Sequence, residues 1–163
     1  MGSWGSRIVL AILLAAALLA ALAGPLAITA THGARAQAPQ GPGVAYITGP
    51  TNITRPGYYV ISTNITGEQS AGYCIGIFAS DVVLYGGGHA LEESGSGVGI
   101  YVGPGSSNVT IEDVVVIRYL TGIVMNSSGV RVVDSNVSDN NGIGIDMIGN
   151  NDSVINSTVS GNV

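Results

Sequence analysis

The sequence repeats itself in the stretch Gly129-Val-Arg-Val-Val-Asp-Ser-Asn-Val-Ser-Asp-Asn140, which matches Asn151-Asp-Ser-Val-Ile-Asn-Ser-Thr-Val-Ser-Gly-Asn162 without a gap. The shift between the two stretches is about 22 residues, a period typical of solenoid proteins. A second pattern of two apolar residues around a central residue, usually glycine, recurs at residues 75–77, 98–100, 123–125 and 143–145. The chain is therefore built from repeated units of about 22 residues.

Short segments within each unit alternate between apolar and polar residues with a period of two, as at residues 98–102 and 109–111. Strands this short cannot bury a face alone, but stacked units form parallel sheets around a continuous apolar interior. We expect an all-β fold, a parallel β-helix of roughly four coils over residues 73–163. Residues 44–72 form its entry or cap segment.

A leucine-rich repeat has a unit of similar length and is the main alternative fold. Its consensus requires leucine, whereas only Leu84, Leu91 and Leu120 follow residue 36. Valine and isoleucine dominate there instead, and β-branched residues favour strands over helices. The composition therefore favours the β-helix.

The first 36 residues have the layout of an export signal. Arg7 precedes an unbroken apolar run at residues 8–23, and Ala34-Arg35-Ala36 resembles a cleavage site before Gln37. An uncleaved membrane-anchoring helix is the alternative, because the apolar stretch is long enough to span a bilayer if it continues past Pro25. Residues 37–43 read as a linker. Both alternatives predict a secreted or cell-surface protein.

The charge of the chain argues against nucleic-acid binding. The protein has no lysine and a formal net charge of −5, and the part after residue 36 carries ten acids against three arginines, a formal charge of −7. Binding to phosphate backbones requires a basic surface.

One polar column is predicted at a corner of the coils, formed by Gly86, Asp113, Asp134 and Asn156. Stacked Asp and Asn side chains at a corner bond the backbone of the neighbouring coil, which is a structural role. Adjacent coils also place Asp113 and Asp134 about 5 Å apart, the separation of a catalytic carboxylate pair in a retaining glycoside hydrolase. Because Gly86 and Asn156 occupy the same column, the structural role is favoured and these aspartates remain weak catalytic candidates.

Three segments resemble the entry region of NosD-like and pectate-lyase-like right-handed β-helix proteins. They are Pro56-Gly57-Tyr58-Tyr59-Val60-Ile61, then Asn64-Ile65-Thr66, then Cys74-Ile75-Gly76-Ile77-Phe78-Ala79-Ser80-Asp81-Val82-Val83-Leu84-Tyr85-Gly86-Gly87-Gly88-His89. Tyr85 and Gly87 stand where that pattern usually has Asp and Asn. The resemblance, over residues 44–162, implies a right-handed parallel β-helix. Related proteins serve as surface proteins, as sugar-binding or sugar-hydrolysing modules, or as a factor for copper-enzyme maturation.

Seven asparagines lie in Asn-x-Ser/Thr sequons, which are acceptors for N-glycosylation in exported proteins. Part of this excess reflects the use of asparagine at turns. We expect glycosylation of at least one site, with Asn52 and Asn126 the better exposed. The seven are Asn52, Asn64, Asn108, Asn126, Asn136, Asn151 and Asn156.

Aromatic residues on or beside the predicted strands are candidates for stacking on sugar rings. Phe78, Tyr101 and Tyr119 are the positions singled out, with Tyr101 equivalent to Phe78 one coil earlier. A purely structural role at the coil edges is the alternative.

Metal binding is not predicted, and no cofactor is expected. The soft ligands Cys74, His89, Met125 and Met147 are scattered, and both methionines fall in core-type columns. The lone Cys74, between apolar residues, reads as a buried thiol.

The last repeat reaches Val163 without a capping element and leaves an open sheet edge, so we expect either that the reading frame is cut short or that another chain or domain covers this end. The sequence as a whole predicts an exported, acidic β-helix module with a structural or carbohydrate-contacting role and polysaccharide or cell-envelope glycan as its partner. The alternatives are a polysaccharide lyase or hydrolase fragment and a copper-maturation accessory protein.

Overall fold

The structure is a computed structural model, and it describes residues 43–163. The predicted signal or anchor segment, residues 1–36, and all of the predicted linker except Gly43 lie outside the described residues. Within residues 43–163, no helix is long and apolar enough to cross a membrane.

Residues 43–163 contain sixteen short strands joined by turns and loops. In chain order they are β1 (Val44–Ile47), β2 (Thr51–Ile53), β3 (Gly57–Ile61), β4 (Ile65–Thr66), β5 (Tyr73–Ile77), β6 (Val82–Tyr85), β7 (Ala90–Glu92), β8 (Val98–Val102), β9 (Ser107–Glu112), β10 (Val115–Ile117), β11 (Thr121–Met125), β12 (Ser128–Val133), β13 (Asn136–Ser138), β14 (Ile145–Met147), β15 (Ser153–Ile155) and β16 (Thr158–Ser160).

The strands form three parallel sheets. Sheet A has the order β1-β3-β6-β9-β12-β15, sheet B the order β14-β11-β8-β5-β2, and sheet C the order β16-β13-β10-β7-β4. The result is a parallel β-solenoid of about five turns, which confirms the predicted all-β class. Strands β2, β3 and β4 pair in parallel with β5, β6 and β7, so residues 44–72 contribute the first turn of the solenoid itself.

The core consists of columns in which apolar side chains of successive turns stack on one another. In sheet B, Ile75, Ile100, Ile123 and Ile145 share one register position, and the first three are fully buried. Sheet A contributes the column Leu84, Ile111 and Val132, each with no exposed surface. Burying these chains in stacked turns supplies the hydrophobic stabilisation that a single turn lacks.

The register of sheet B differs by two residues from the alignment of the Gly-centred triplets. Ile75 pairs with Ile100, and Ile77 pairs with Val102, whereas the triplets would have paired Ile75 with Val98. Because side chains alternate with a period of two, a shift of two residues leaves every side chain on the same face. Ile100, Ile123 and Met125 are therefore buried as predicted, but with different partners, whereas Val98 is only half-buried.

Glycine is required where sheet B approaches sheet C. Gly99, Gly122 and Gly144 occupy successive turns, and a Cβ at Gly122 would lie 2.5 Å from both Gly144 O and Val137 Cγ1. Backbone this close to a neighbouring valine leaves no room for a side chain. These glycines permit the narrow cross-section of the solenoid.

Left-handed backbone conformations mark the corners of the solenoid, where φ is positive and Asn, Asp and Gly are the residues best tolerated. One column of such residues lies at the start of sheet A, a second follows sheet A, and a third follows sheet C. Their members are Asp81, Asn108, Gly129 and Asn151; Asp113, Asp134 and Asn156; and Gly67, Arg118, Asp139 and Gly161.

A buried asparagine ladder closes the corner between sheets C and B. Asn140 has no exposed surface, accepts from Tyr119 N (3.0 Å) and donates to Val116 O (3.3 Å). It also donates to Asn162 Oδ1 (2.9 Å), and Asn162 in turn donates to Val137 O (3.1 Å). The ladder satisfies backbone groups that a corner leaves unpaired inside the core.

The turn formed by β14, β15 and β16 is more exposed than the others. Met147, Val154 and Val159 continue core columns, yet they are 54%, 36% and 46% exposed. No other strand of residues 43–163 lies beyond this turn in any of the sheets.

Candidate functional site

Three aromatic rings meet on the outer face of sheet B. Tyr73 and Phe78 belong to or directly follow β5, and Tyr101 lies in the adjacent strand β8. The rings of Tyr73 and Tyr101 are stacked with centroids 5.5 Å apart, and Phe78 is tilted against both, at 5.9 and 6.0 Å. We call these three residues the aromatic cluster.

Gly76 forms the floor of the aromatic cluster. It is the register partner of Tyr101, and a Cβ there would lie 2.6 Å from ring carbons of both Tyr73 and Phe78. A Cβ at Gly103, the neighbour of Phe78 in the next turn, would lie 2.5 Å from the Phe78 ring. Two glycines thus allow the rings to lie flat across the sheet rather than stand away from it.

The aromatic cluster is partly open to solvent. Phe78 is 40% exposed, while Tyr73 and Tyr101 are half-buried. An exposed phenylalanine held by two tyrosines is an apolar surface with fixed geometry, the kind of patch that marks a binding surface.

Uncharged amides border the aromatic cluster. Asn126 Nδ2 donates to the Tyr101 hydroxyl (3.2 Å), and Asn52 Oδ1 accepts from Gln69 Nε2 (3.1 Å). Gln69 Nε2 also donates to Cys74 O (3.1 Å), which fixes its position on β5. Rings beside fixed hydrogen-bonding amides suit a ligand with apolar faces and polar edges.

The structure places Phe78 and Tyr101 together, but their relation differs from the predicted equivalence. Tyr101 pairs with Gly76, and Phe78 follows Ile77, whose partner is Val102. The two rings are therefore neighbours within a cluster, not rungs of one ladder. Tyr73, which was not among the predicted stacking residues, completes it.

The prediction that Tyr119 stacks on a sugar is wrong. Its ring has no exposed surface, and its hydroxyl donates to Gly67 O (3.3 Å) inside the solenoid. Burial, together with a hydrogen bond to Cys74, raises the pKa of Tyr119. Burial likewise raises the pKa of the Cys74 thiol, which has no exposed surface. This pair belongs to the core.

Asp113 and Asp134 lie in the predicted corner column and have φ of 52° and 50°. The Asp134 carboxylate accepts a hydrogen bond from Asn156 Nδ2 one turn on. Backbone conformation and this bond account for acidic residues at the corner, as expected of a structural column.

The seven sequon asparagines are spread over the corners and outer faces. The expectation that Asn126 is among the better exposed is wrong, because Asn126 is half-buried and the other six, Asn52 included, are exposed. Three are engaged through the carboxamide nitrogen: Asn108 donates to Asp81 (2.7 Å), Asn126 to Tyr101 and Asn156 to Asp134. Asn64 accepts from Ala90 N (3.0 Å). Asn108, Asn151 and Asn156 also have positive φ, which gives them a conformational role independent of glycosylation.

A polar groove of about 560 Å³ lies on the side of sheet C, with Glu92, Glu93 and Arg118 among its lining residues. Arg118 forms an ion pair with Glu92, and Glu93 accepts from Ser94 N (2.9 Å). Its charged groups are therefore largely satisfied within the protein.

The soft metal-ligand types are dispersed. Met125 and Cys74 are buried in the core, Met147 is exposed at the last turn, and His89 lies beside Asn64. Within residues 43–163, no group of three or more His, Cys, Asp or Glu side chains could hold a metal ion.

Comparison with known proteins identified no matching family model, no matching characterised protein and no matching solved structure. The parallel β-solenoid is thus established from the structure itself, and the resemblance to NosD-like and pectate-lyase-like proteins stays a prediction.

Proposed function

We propose that this protein is an exported β-helix module that contacts carbohydrate through the aromatic cluster, at the cell surface or outside the cell. The observation that carries the proposal is the exposed Phe78 ring, held against Tyr73 and Tyr101 on an otherwise regular sheet face. Sugar rings offer an apolar C–H face to aromatic rings and hydroxyls to neighbouring amides, and the cluster supplies both kinds of group.

The charge of the molecule favours a neutral glycan over a polyanionic one. The part after residue 36 has a formal charge of −7, and the side chains bordering the rings are the amides of Asn52, Gln69 and Asn126. A negatively charged protein repels a polyuronate at low ionic strength. We therefore infer a neutral polysaccharide or cell-envelope glycan as the partner.

The solenoid supports an extended ligand better than a compact one. Successive turns lie about 4.8 Å apart, and the outer face of sheet B continues past Tyr101 to Val124 and Asp146 in the next two turns. A polymer running along the solenoid axis would therefore contact several turns at once.

Two enzyme-related alternatives are less well supported. A hydrolase would need carboxylates free to react, whereas Asp134 is bonded to Asn156 at a structural corner. A copper-maturation role would need clustered soft ligands, and those of the described residues are dispersed.

Binding of neutral polysaccharides tests the proposal. We expect retention by at least one neutral polysaccharide in affinity electrophoresis, with a loss of about tenfold on Phe78→Ala, because removal of one stacked ring costs about 1 kcal/mol or slightly more. Tyr46→Ala is the matched control, since Tyr46 is 51% exposed but lies on sheet A. Equal weakening by both substitutions, or release of reducing ends from the polysaccharide, would refute the proposed role.

A further inference from the structure

Asn52 combines a sequon with a position directly beside the aromatic cluster. It lies in β2, which forms one edge of sheet B in residues 43–163, and its exposed side chain alternates with the buried Ile53. Its register partner is Gly76, the floor of the cluster. Thr54 completes the sequon Asn52-Ile53-Thr54.

The Asn52 carboxamide and two rings converge on one point. Asn52 Oδ1, a Phe78 ring carbon and a Tyr73 ring carbon each lie 2.6 Å from the position that a Gly76 Cβ would take. Gln69 donates to Asn52 Oδ1, the atom that lies beside the rings, and the carboxamide nitrogen bonded to the same carbon is the atom to which a sugar attaches. Asn126, the other sequon asparagine that borders the rings, is half-buried, and its nitrogen is bonded to Tyr101.

We propose that Asn52 is N-glycosylated and that its first sugar packs on the Phe78 and Tyr73 rings, so that the protein's own glycan occupies the aromatic cluster. The donor is a polyprenyl-phosphate-linked oligosaccharide used by the cell's oligosaccharyltransferase. The transfer forms a bond between Asn52 Nδ2 and C1 of the first sugar. It breaks the bond between C1 and the phosphate oxygen and releases the polyprenyl phosphate together with the amide proton.

Two consequences follow from such packing. The sugar covers apolar surface that Phe78 otherwise exposes, so the glycan stabilises the fold. It also competes in cis with any polysaccharide that uses the same rings, so glycosylation of Asn52 closes the carbohydrate-contacting surface. The second consequence rests on the proposed function, whereas the modification and its packing do not.

The experiment uses the full chain exported from an N-glycosylating host, with two substitutions at one residue. Thr54→Ser keeps the sequon, and Thr54→Ala abolishes it while leaving the Asn52 carboxamide and its bond from Gln69 in place. Glycopeptide mass spectrometry is expected to find the glycan on Asn52 in the parent protein and in Thr54→Ser, and to find none in Thr54→Ala. An unmodified Asn52 in the parent protein would overturn the inference.

Thermal unfolding before and after enzymatic or chemical glycan release tests the packing. Release is expected to lower Tm by about 4 °C in the parent protein and by much less in Phe78→Ala, because the sugar then has one ring fewer to cover. Asn136→Gln is the control, since Asn136 is an exposed sequon asparagine on sheet C, and the release effect should persist in that variant. Equal decreases in Tm with and without Phe78 would overturn the packing.

Polysaccharide binding separates the inference from the proposed function. Thr54→Ala is expected to bind the polysaccharide about tenfold more tightly than Thr54→Ser. This is the difference expected if the attached glycan occupies the aromatic cluster about nine-tenths of the time in Thr54→Ser. If Thr54→Ala does not bind polysaccharide, but glycan release still lowers Tm in a way that depends on Phe78, the proposed function is refuted and the packing of the attached glycan is supported. Equal binding by the two variants would show that the glycan does not close the surface.

Discussion

The asparagine ladder at the corner between sheets C and B makes the sharpest stability prediction. In Asn140→Ala, the buried Tyr119 N–H and Val116 carbonyl lose their side-chain partner, and Asn162 Oδ1 keeps only the hydrogen bond from the backbone N–H of residue 140. A buried polar group left without a partner costs about 1–3 kcal/mol. Because two backbone groups are affected and the bond to Val116 is long (3.3 Å), we expect a loss of about 3 kcal/mol in the free energy of unfolding.

Urea denaturation followed by circular dichroism measures this loss, and thermal unfolding should show a decrease of about 12 °C in Tm for a domain of this size. Asn150→Ala is the matched control, because Asn150 is exposed at a corner of the same solenoid. We expect a change within about 0.5 kcal/mol for the control. If Asn140→Ala costs no more than Asn150→Ala, the reasoning about the ladder is refuted.

Three further predictions concern backbone contact, corner conformation and pH. Gly122→Ala should destabilise the protein by about 2–3 kcal/mol in urea denaturation, because the new Cβ meets Gly144 O at 2.5 Å, while Gly49→Ala, with nothing within 4 Å, should be neutral. Asp134→Val should lower stability by about 1–2 kcal/mol relative to Asp134→Asn, since φ is 50° there and a β-branched residue does not tolerate it; equal stabilities would contradict this. Burial raises the pKa of Cys74 above its ordinary value of 9.0, so the folded state holds the proton that the unfolded state loses. The contribution of Cys74 to the free energy of unfolding is fully present below pH 9 and should decrease as the pH rises further. If the free energy of unfolding of Cys74→Ala decreases with pH in the same way, the loss is due to other groups.

The repeat and its period of two were enough to predict the fold, because stacking the turns buries the apolar residues whatever the exact register. The alignment of Ile75 with Val98 was off by two residues, an even shift that preserves the alternation of faces. In the next turn Val98 pairs with Thr121 rather than with Ile123, because the loop between Ile117 and Thr121 is shorter than the loop between Glu92 and Val98. The sequence of a short polar loop does not indicate where the next strand begins relative to its partner in the neighbouring turn.

The candidate site was only partly predictable. Phe78 and Tyr101 were chosen as aromatic residues near strands, but their meeting with Tyr73 depends on two glycines that leave space above the sheet. Tyr119 follows the exposed Arg118 at a corner, and nothing in its sequence neighbours indicates that the chain turns its ring inward. Such orientations are decided by the bend between two sheets, which is a property of the tertiary structure.

The parallel pairing described above also constrains how the chain reaches its native state. Every strand finds its partner in another turn, 14 to 27 residues away, as in the pairs Val44 with Tyr58 and Val82 with Val109. No turn gains its full hydrogen bonding or core contacts before a neighbouring turn has formed, so the nucleus must contain at least two turns. Growth from that nucleus adds one turn at a time, and folding rates should respond most strongly to substitutions in the first pair of turns to dock.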